Sequence, residues 1–207
     1  MPRMSGATED RLWTRRALVA GAATAAGCAG LPAIGAPDAV GAVTALEGQA
    51  FAGRRPLGAN TPVYLEEMVR TDVASKLSMK LGASTTLKLG SDTRVRIDRF
   101  LVDAGGELTL ERGSILFDGK DGGFPKGLSV KTPYAVIAVR GTSFFAGELD
   151  TPLEVFVYRG EVAVTAGQRR MQLLPGDGVT LGSRAAGAGT VRVWGQTKVQ
   201  RASAQFL

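Results

Sequence analysis

Residues 77–90 read LSMKLGASTTLKLG, and this stretch decides the fold class. Leucine and methionine alternate with polar residues in its two halves, and a glycine follows each half. Alternation with a period of two is typical of a strand with one buried face. Glycine reaches positive φ without steric cost, so it supplies the reversals between short strands. The stretch therefore predicts two short antiparallel strands.

The same alternation continues along the chain. The alternating apolar residues are Leu77, Met79 and Leu81; Leu87 and Leu89; Val95 and Ile97; Leu108 and Leu110; Ile115 and Phe117; Leu128 and Val130; Val155 and Val157; Val162 and Val164; Met171 and Leu173; Val179 and Leu181; and Val191 and Val193. Residues 65–77 have a faintly helical pattern, but Thr71, Val73 and Ser75 weaken it. We therefore predict a strand and a turn there. Strands spaced by about eight to twelve residues indicate a sandwich, a barrel or a short solenoid. We predict an all-β fold with one domain over residues 43–193, either a twisted sandwich or a short β-solenoid of antiparallel strands.

An arginine–glycine pair recurs at three places. The pairs are Arg112-Gly113, Arg140-Gly141 and Arg159-Gly160. We interpret each as a turn that leads into the next strand. The repetition is compatible with a solenoid, in which similar units bury their apolar faces against one another. A twisted sandwich explains the alternation equally well.

Residues 1–36 have the features of an export signal. Its basic residues come first, at Arg3, Arg11, Arg15 and Arg16. A weakly apolar run follows over residues 17–31, and a basic start before an apolar centre of about 7–15 residues is typical of a secretory leader. The run is too glycine-rich and short for a membrane span of roughly 20 apolar residues. Residues 14–19 resemble a twin-arginine signal, so we predict export to the periplasm by that route in preference to the general secretory one.

The single cysteine of the chain, Cys28, lies just after the apolar region. Residues 25–28 resemble a lipoprotein box, in which small residues precede a cysteine that becomes lipidated. The alternative is cleavage by an ordinary signal peptidase further on, for example at residues 40–42, with Cys28 discarded. Membrane association is expected only in the lipidated case. In both cases the remaining domain has no disulfide and depends on packing for its stability.

The composition excludes several classes of function. The chain contains no histidine, so hydrolysis that relies on an imidazole base or metal ligand is excluded for this chain alone. The net charge of +6 is spread along the chain and not gathered in a basic block, which argues against nucleic-acid binding. Residues 118–123 superficially suggest a calcium loop but lack the EF-hand spacing and its closing glutamate. We predict a non-enzymatic protein without a cofactor or metal.

Residues 130–142 read VKTPYAVIAVRGT, and they resemble the signature of the FecR domain. In that family a strand, a Thr-Pro step and a second strand lead into Arg-Gly-Thr followed by aromatic residues. The similarity extends upstream through residues 87–98 and 112–117, and downstream through residues 158–164 and 174–179. The order of the segments is that of the family, and the resemblance spans nearly the whole chain after the leader.

The signature residues also predict a local structure. Proline gives no N–H to a ladder, so Pro133 is expected to end a strand, and residues 134–139 have the pattern of a strand covered on both faces. Gly141 then allows a sharp turn, and the Thr142 hydroxyl can bond backbone groups. The Arg140 guanidinium could lie across an aromatic ring and bind a carboxylate or backbone carbonyls. The candidate rings are Tyr134, Phe144 and Phe145.

These residues allow two interpretations. The candidate binding residues are Tyr134, Arg140, Gly141, Thr142 and Phe144. One interpretation is direct contact with a ligand or partner. The other is a structural corner of the core that Arg140 fastens, which leaves the binding residues elsewhere.

The resemblance implies a function in signalling. FecR-like regulators are usually inner-membrane proteins that control a sigma factor in the cytoplasm, and their FecR domain receives a signal in the periplasm. Before its β region this chain has a cleavable-looking leader in place of a sigma-binding domain and a membrane span. We therefore expect a free-standing exported FecR domain that binds another envelope protein. The alternative is a structural envelope protein that binds peptidoglycan or surface polysaccharide. Residues 194–207 are expected to form a semi-ordered tail, with Trp194 capping the last strand pair.

Overall fold

The computed structural model describes residues 39–101, 105–119, 127–182 and 189–207. These residues are 62% strand and contain one helix, so the prediction of an all-β fold is confirmed. The elements are β1 (Ala39–Glu47), β2 (Ala50–Ala52), β3 (Arg55–Pro56), β4 (Pro62–Tyr64), β5 (Met68–Thr71), β6 (Lys76–Leu81), β7 (Thr85–Leu89), β8 (Arg94–Leu101), β9 (Gly105–Arg112), β10 (Ser114–Gly119), β11 (Leu128–Lys131), β12 (Val136–Gly147), β13 (Leu153–Ala166), β14 (Arg169–Leu173), β15 (Asp177–Leu181), β16 (Arg192–Val193) and α1 (Gln196–Ala204). The leader, including Arg15, Arg16 and Cys28, lies outside the described residues, and what we expect of it remains a prediction.

The strands form one curled sheet, a half-barrel. Along the sheet the order is β3-β2-β5-β8-β9-β11-β12-β10-β7-β6-β1-β4, and β13 to β16 branch from β12. The pairing of β9 with β11 is parallel, and the other pairings among the described strands are antiparallel. The two end strands of this path, β3 and β4, lie close together. Arg55 in β3 donates a 3.1 Å hydrogen bond from Nη1 to the Pro62 carbonyl in β4. The sequence did not decide between a sandwich and a solenoid, and the structure has a single curled sheet.

The inner face of the curl holds the main core. The residues predicted to alternate inward are buried there, from Leu77, Met79 and Leu81 in β6 to Val179 and Leu181 in β15. Phe117 and Phe144 pack against each other in this core, with ring centroids 5.4 Å apart. The predicted strand at Val191 and Val193 is the exception. It is only the two-residue β16 at the end of the branch, where Val193 is 79% exposed.

The two longest strands, β12 and β13, are bent and shared between two parts of the sheet. The first half of β12 pairs with β11 and its second half pairs with β10. The first half of β13 pairs with β15 and its second half pairs with β14. The bends fall at register shifts beside Gly141, with φ of 60°, and Gly160, with φ of 80°. We predicted turns at both glycines; that prediction is wrong, because each glycine forms a bulge inside a continuous strand.

The outer face of the sheet is covered where α1 packs on it. Phe145 and Phe156 are buried there beneath Ala202 and Phe206. Phe145 lies in the half of β12 that pairs with β10, and Phe156 lies in the half of β13 that pairs with β15. Trp194 stacks on Phe156 with centroids 5.0 Å apart, and its backbone N–H donates to the Gly176 carbonyl.

Two predictions about these segments are corrected. Residues 196–204 are a helix and not a semi-ordered tail, because packing on the sheet stabilises them. Coverage on both faces was predicted for residues 134–139, but Val136 is 42% exposed there. The residues covered on both faces are instead Phe144 and Phe145 in β12 and Leu153 to Val157 in β13. They lie beyond the two bulges, where α1 packs on the outer face.

The described part of the chain contains no helix that is long and apolar enough to cross a membrane.

Candidate protein-binding surface

The Thr-Pro step forms a tight turn between β11 and β12. The Thr132 Oγ1 accepts hydrogen bonds from the backbone N–H groups of Tyr134, at 3.2 Å, and Ala135, at 2.9 Å. The Thr132 N–H donates to the Ala135 carbonyl at 2.9 Å. β11 ends at Lys131, directly before this turn, as Pro133 predicted. The turn fixes where β12 begins and therefore which of its residues face outward.

The two bulges lie directly against each other. A Cβ atom built on Gly160 would lie 2.6 Å from the Gly141 carbonyl oxygen and 3.0 Å from the Thr142 Cα. No real side chain fits at those distances, so β12 and β13 approach closely only because residue 160 is glycine. The Thr142 side chain is buried here, and its hydroxyl has no hydrogen-bond partner within the described residues. The predicted bond from this hydroxyl to the backbone is therefore not formed.

The structure separates the five candidate binding residues by exposure. Phe144 is in the inner core, Thr142 is buried, and Gly141 is part of the bulge. Tyr134 is half-buried and packs against the core, while Arg140 is exposed. Of these residues, Arg140 is therefore the one whose functional group is most open to a partner. The binding role of the set stays a prediction.

The predicted contact of Arg140 with Phe144 or Phe145 is wrong. Both rings are fully buried, one in the inner core and the other beneath α1. The cation–π pairs within the described residues involve other side chains: Arg55 with Tyr64, Arg70 with Phe51, and Lys198 with Trp194. The physical reason is the bulge, which turns residues 140 and 144 toward opposite faces of the sheet.

Arg140 lies on an open part of the outer face that we call the signature face. It consists of the outward residues of three neighbouring strands, in register: Val136, Thr165 and Arg170; Ala138, Ala163 and Gln172; and Arg140 and Glu161. Small side chains occupy its centre and longer polar ones its margins. A shallow groove of about 410 Å³ runs over it, lined partly by Arg140, Glu161, Arg170 and Gln172.

The polar side chains of this groove are available for binding. Arg140, Glu161, Arg170 and Gln172 make no hydrogen bond or ion pair within the described residues. Other arginines of the domain are engaged, for example Arg55, which holds Glu67 at 2.8 Å. Glu161, Arg170 and Gln172 were not among the predicted binding residues. Their alternation marks them as outward residues, but only the register across the two bulges brings them beside Arg140.

A second polar cluster fastens α1 to the sheet. Glu154 is fully buried in β13, and its Oε1 accepts hydrogen bonds from Lys198 Nζ at 2.8 Å and from the Thr180 hydroxyl at 3.3 Å. Its other oxygen, Oε2, has no partner among the described residues. Arg201 donates to Asp150 at 2.5 Å, and this hydrogen bond lowers the pKa of the Asp150 carboxyl. The cluster is a structural attachment, since each charge faces an opposite one.

Tyr158 adds a further attachment. Its hydroxyl lies 2.9 Å from the Ser203 hydroxyl of α1. Burial raises the pKa of the Tyr158 phenol, an effect that this hydrogen bond partly opposes.

Another cavity, of about 500 Å³, lies where several turns meet. Its lining includes Ser75, Ser91, Asp92, Ser114, Glu148 and Gln205. Most of its polar groups already bond within the domain: Asp92 pairs with Arg112, the Ser91 hydroxyl accepts from the Ala74 N–H, and Glu148 accepts from the Gly113 N–H. No group of histidine, cysteine and carboxylate residues in the described ranges is arranged to hold a metal ion. The signature face is therefore the better candidate for recognition.

Comparison with known families agrees with the signature. The family described as FecR protein has a model that matches residues 67–163. Residues 67–163 are thus similar to the FecR domain. The domain runs from the residue before β5 into β13, and it contains Arg140 and both bulges. FecR proteins act in regulation and envelope signalling, so the match supports a role in signalling or sensing.

Solved structures agree with the fold. Two crystal structures from Parabacteroides distasonis ATCC 8503, each described as a "putative anti-sigma factor", match with TM-scores of 0.54 and 0.55 at 20% and 21% identity. Each match covers 64% of this chain and 62% of the other chain. At this identity the likeness shows the fold alone, and this chain spans less than two thirds of either relative. No curated protein matches the chain.

Proposed function

We propose that this chain is an exported sensing module that binds another protein of the cell envelope through the signature face. The observation that carries the proposal is the contrast between the two ends of the β12–β13 pair. Beyond the bulges α1 covers the outer face, whereas before them Val136, Ala138 and Arg140 remain open. The open end belongs to the FecR domain, whose family acts in signalling.

Binding at this face requires no chemistry from the chain. The face offers two guanidinium groups, Arg140 and Arg170, together with one carboxylate and one amide. Guanidinium groups bind carboxylates through two parallel hydrogen bonds, which gives a protein contact both strength and orientation. The small residues Ala138 and Ala163 leave room for an approaching backbone. These properties suit protein recognition.

The leader supports a location in the periplasm. Two arginines precede an apolar run in residues 14–19, and no cysteine follows Cys28. A domain that needs no disulfide can fold before it crosses the membrane, which is what twin-arginine export requires. Lipidation of Cys28 would anchor the same domain to the membrane.

Polysaccharide binding, the alternative, gains no support from the surface. A sugar platform needs exposed aromatic rings, and the large exposed apolar side chains in the described ranges are aliphatic: Leu65, Val73, Val136, Leu174, Val193 and Leu207. Trp194, the tryptophan outside the leader, stacks on Phe156 and lies beneath Lys198.

Affinity capture from envelope extract tests the proposal. Arg140→Glu reverses a charge on the signature face, and Arg192→Glu makes the same change at the exposed strand β16. We expect the natural chain and Arg192→Glu to recover the same envelope protein, and Arg140→Glu to recover about fivefold less or lower. Recovery of no protein by the natural chain, or equal recovery by both variants, contradicts the proposal. Thermal unfolding of both variants establishes that they are folded.

A further inference from the structure

One margin of the signature face is an open strand edge. β14 pairs with β13 and with no other described strand, so alternate N–H and C=O groups along it point away from the sheet. The other described strands with a single partner are short: β3 and β16 have two residues each and β4 has three. β14 has five. An open edge of that length is a template for another strand.

The side chains of β14 specify what kind of strand fits. Met171 and Leu173 point inward and complete the edge of the core. Arg170 and Gln172 point outward, and Leu174, which follows in the same alternation, is 56% exposed. A strand added beside β14 would therefore place apolar side chains next to Met171 and Leu173. Its alternate side chains would lie beside Arg170 and Gln172.

Charge favours an acidic strand. Arg170 and Arg140 have no counter-ion within the described residues, and Glu161 is the one carboxylate in the described lining of the groove. Asp177, near the end of β14, is already bonded to the Leu174 N–H at 3.0 Å. Lys131, on the far side of the face, is neutralised by Glu107 at 2.7 Å. The edge therefore keeps a free guanidinium that an incoming carboxylate can bind.

We propose that β14 accepts an extended acidic segment of the partner as an additional strand. Main-chain hydrogen bonds to the open edge supply the attachment, and a carboxylate beside Arg170 supplies the selectivity. The proposal rests on the proposed function and names the binding mode of its partner. β14 lies directly after the segment that the FecR family model matches.

Peptide binding tests the proposal directly. The probe is a blocked peptide of about nine residues that alternates valine and glutamate, which matches the length and alternation of a strand. The controls are the valine–lysine counterpart and a valine–glutamate peptide with a central proline, which lacks a ladder N–H. Titration into the full chain, followed by amide NMR shifts, should move the signals of β14 first. We expect each control peptide to bind about tenfold more weakly or worse, equivalent to about 1.4 kcal/mol.

Matched variants assign the binding to the edge. Arg170→Glu should weaken the valine–glutamate peptide by about tenfold and favour the valine–lysine peptide. Arg192→Glu, on the short edge strand β16, should leave both affinities unchanged. Equal binding of the two peptides, shifts outside β14, or no effect of Arg170→Glu overturns the proposal. The proposal is also overturned if the chain forms a dimer through β14 and the peptide does not dissociate that dimer.

The outcomes separate this inference from the proposed function. If the envelope partner is captured equally by the natural chain and by Arg170→Glu, and the peptide does not bind, the strand-addition mode is wrong while the partner stands. If the peptide binds β14 but no envelope partner is recovered, the edge is a strand acceptor and the proposed function is wrong. Loss of both partner and peptide with Arg170→Glu supports both.

Discussion

Gly160 decides at the scale of one residue how the two longest strands can bend. Its φ of 80° lies in the left-handed region, and the backbone of Gly141 and Thr142 fills the space where a Cβ would be. Each bulge adds a residue, so the inward positions change from Ile137 and Val139 to Phe144 and Ala146 within a single strand. The bend and the continuous core both depend on this close approach.

Replacing Gly160 with alanine should destabilise the domain more than the same change at Gly167. Both glycines have positive φ, but nothing lies within 4 Å of a Cβ built on Gly167, which has a φ of 58°. Gly167→Ala should cost about 1 kcal/mol for the backbone conformation alone. Gly160→Ala adds a clash with backbone atoms and should cost about 3 kcal/mol. Urea unfolding measures both, and equal losses would contradict the packing of the two bulges.

Glu154 requires a cation in the structure because its carboxylate is removed from water. Lys198 supplies it, with a side chain that is 27% exposed. Lys198→Met leaves the buried carboxylate without its partner and should lower the free energy of unfolding by about 1–3 kcal/mol. Adding Glu154→Gln removes the buried charge and should restore about half of that loss or more. A double-mutant cycle from urea unfolding gives these values; strictly additive losses would show that the pair is not coupled.

The helix α1 depends on the sheet for its existence. It has nine residues, no side chain that caps its first turn and no acidic residue there, and an isolated helix of that length is marginal in water. Its attachments are the packing of Ala202 and Phe206 on Phe145 and Phe156, and polar bonds through Lys198 and Arg201. We therefore expect α1 to detach before the sheet unfolds.

Acidification should loosen α1 selectively. The hydrogen bond from Arg201, with the charges of Arg201 and Lys198, holds the pKa of Asp150 below its ordinary value of 3.8. A group with a lowered pKa stabilises the folded state above its ordinary pKa, and the contribution is lost as the pH falls through the lowered value. Trp194 fluorescence reports the detachment in a chain whose other tryptophan is removed by Trp13→Phe. Arg201→Gln should remove much of the acid dependence; an unchanged profile would contradict the role of this pair.

Alkaline pH should loosen the helix by a different route. Burial raises the pKa of Tyr158 above its ordinary value of 10.0, so the neutral phenol is the form that the folded state favours. Its contribution is complete below the ordinary pKa and is lost as the pH rises through the raised value. Tyr158→Phe cannot ionise and should flatten the alkaline limb of the same fluorescence profile. If the limb is the same in Tyr158→Phe, another group causes it.

At the scale of the whole molecule, one bent pair of strands carries two different outer surfaces. Beyond the bulges the surface is apolar and α1 covers it; before them it is small, polar and open. Strands distant in sequence meet in the sheet, such as β5 with β8 and β10 with β12, and such pairings form slowly.

The sequence alone was sufficient for the class of fold but not for the bend. Alternation placed Leu87, Ile97 and Phe117 inward correctly, because each strand has one buried face. Between Val157 and Val162 the inward positions change from odd to even residue numbers, and we interpreted this change as two strands joined by a turn. Glycine at positive φ serves turns and bulges alike, and only the pairing across strands distinguishes them.

The site was harder to predict than the fold. Arg140 was predicted from its signature, but the free groups of Glu161, Arg170 and Gln172 depend on the register across two bulges. Helix α1 was missed because its buried positions are few; Ala202 is the single buried residue within Gln196–Ala204. Without the helix, the sequence could not show which end of β12 is covered and which end is open.

Photo-crosslinking in living cells tests the central claim most directly. A photoreactive residue replaces Ala138 on the signature face or, as the control, Val73, which is 77% exposed on the turn after β5. We expect one specific adduct with an envelope protein from position 138, formed in the exported chain without its leader, and none from position 73. No adduct from position 138, or a chain that remains in the cytoplasm with its leader attached, would contradict it.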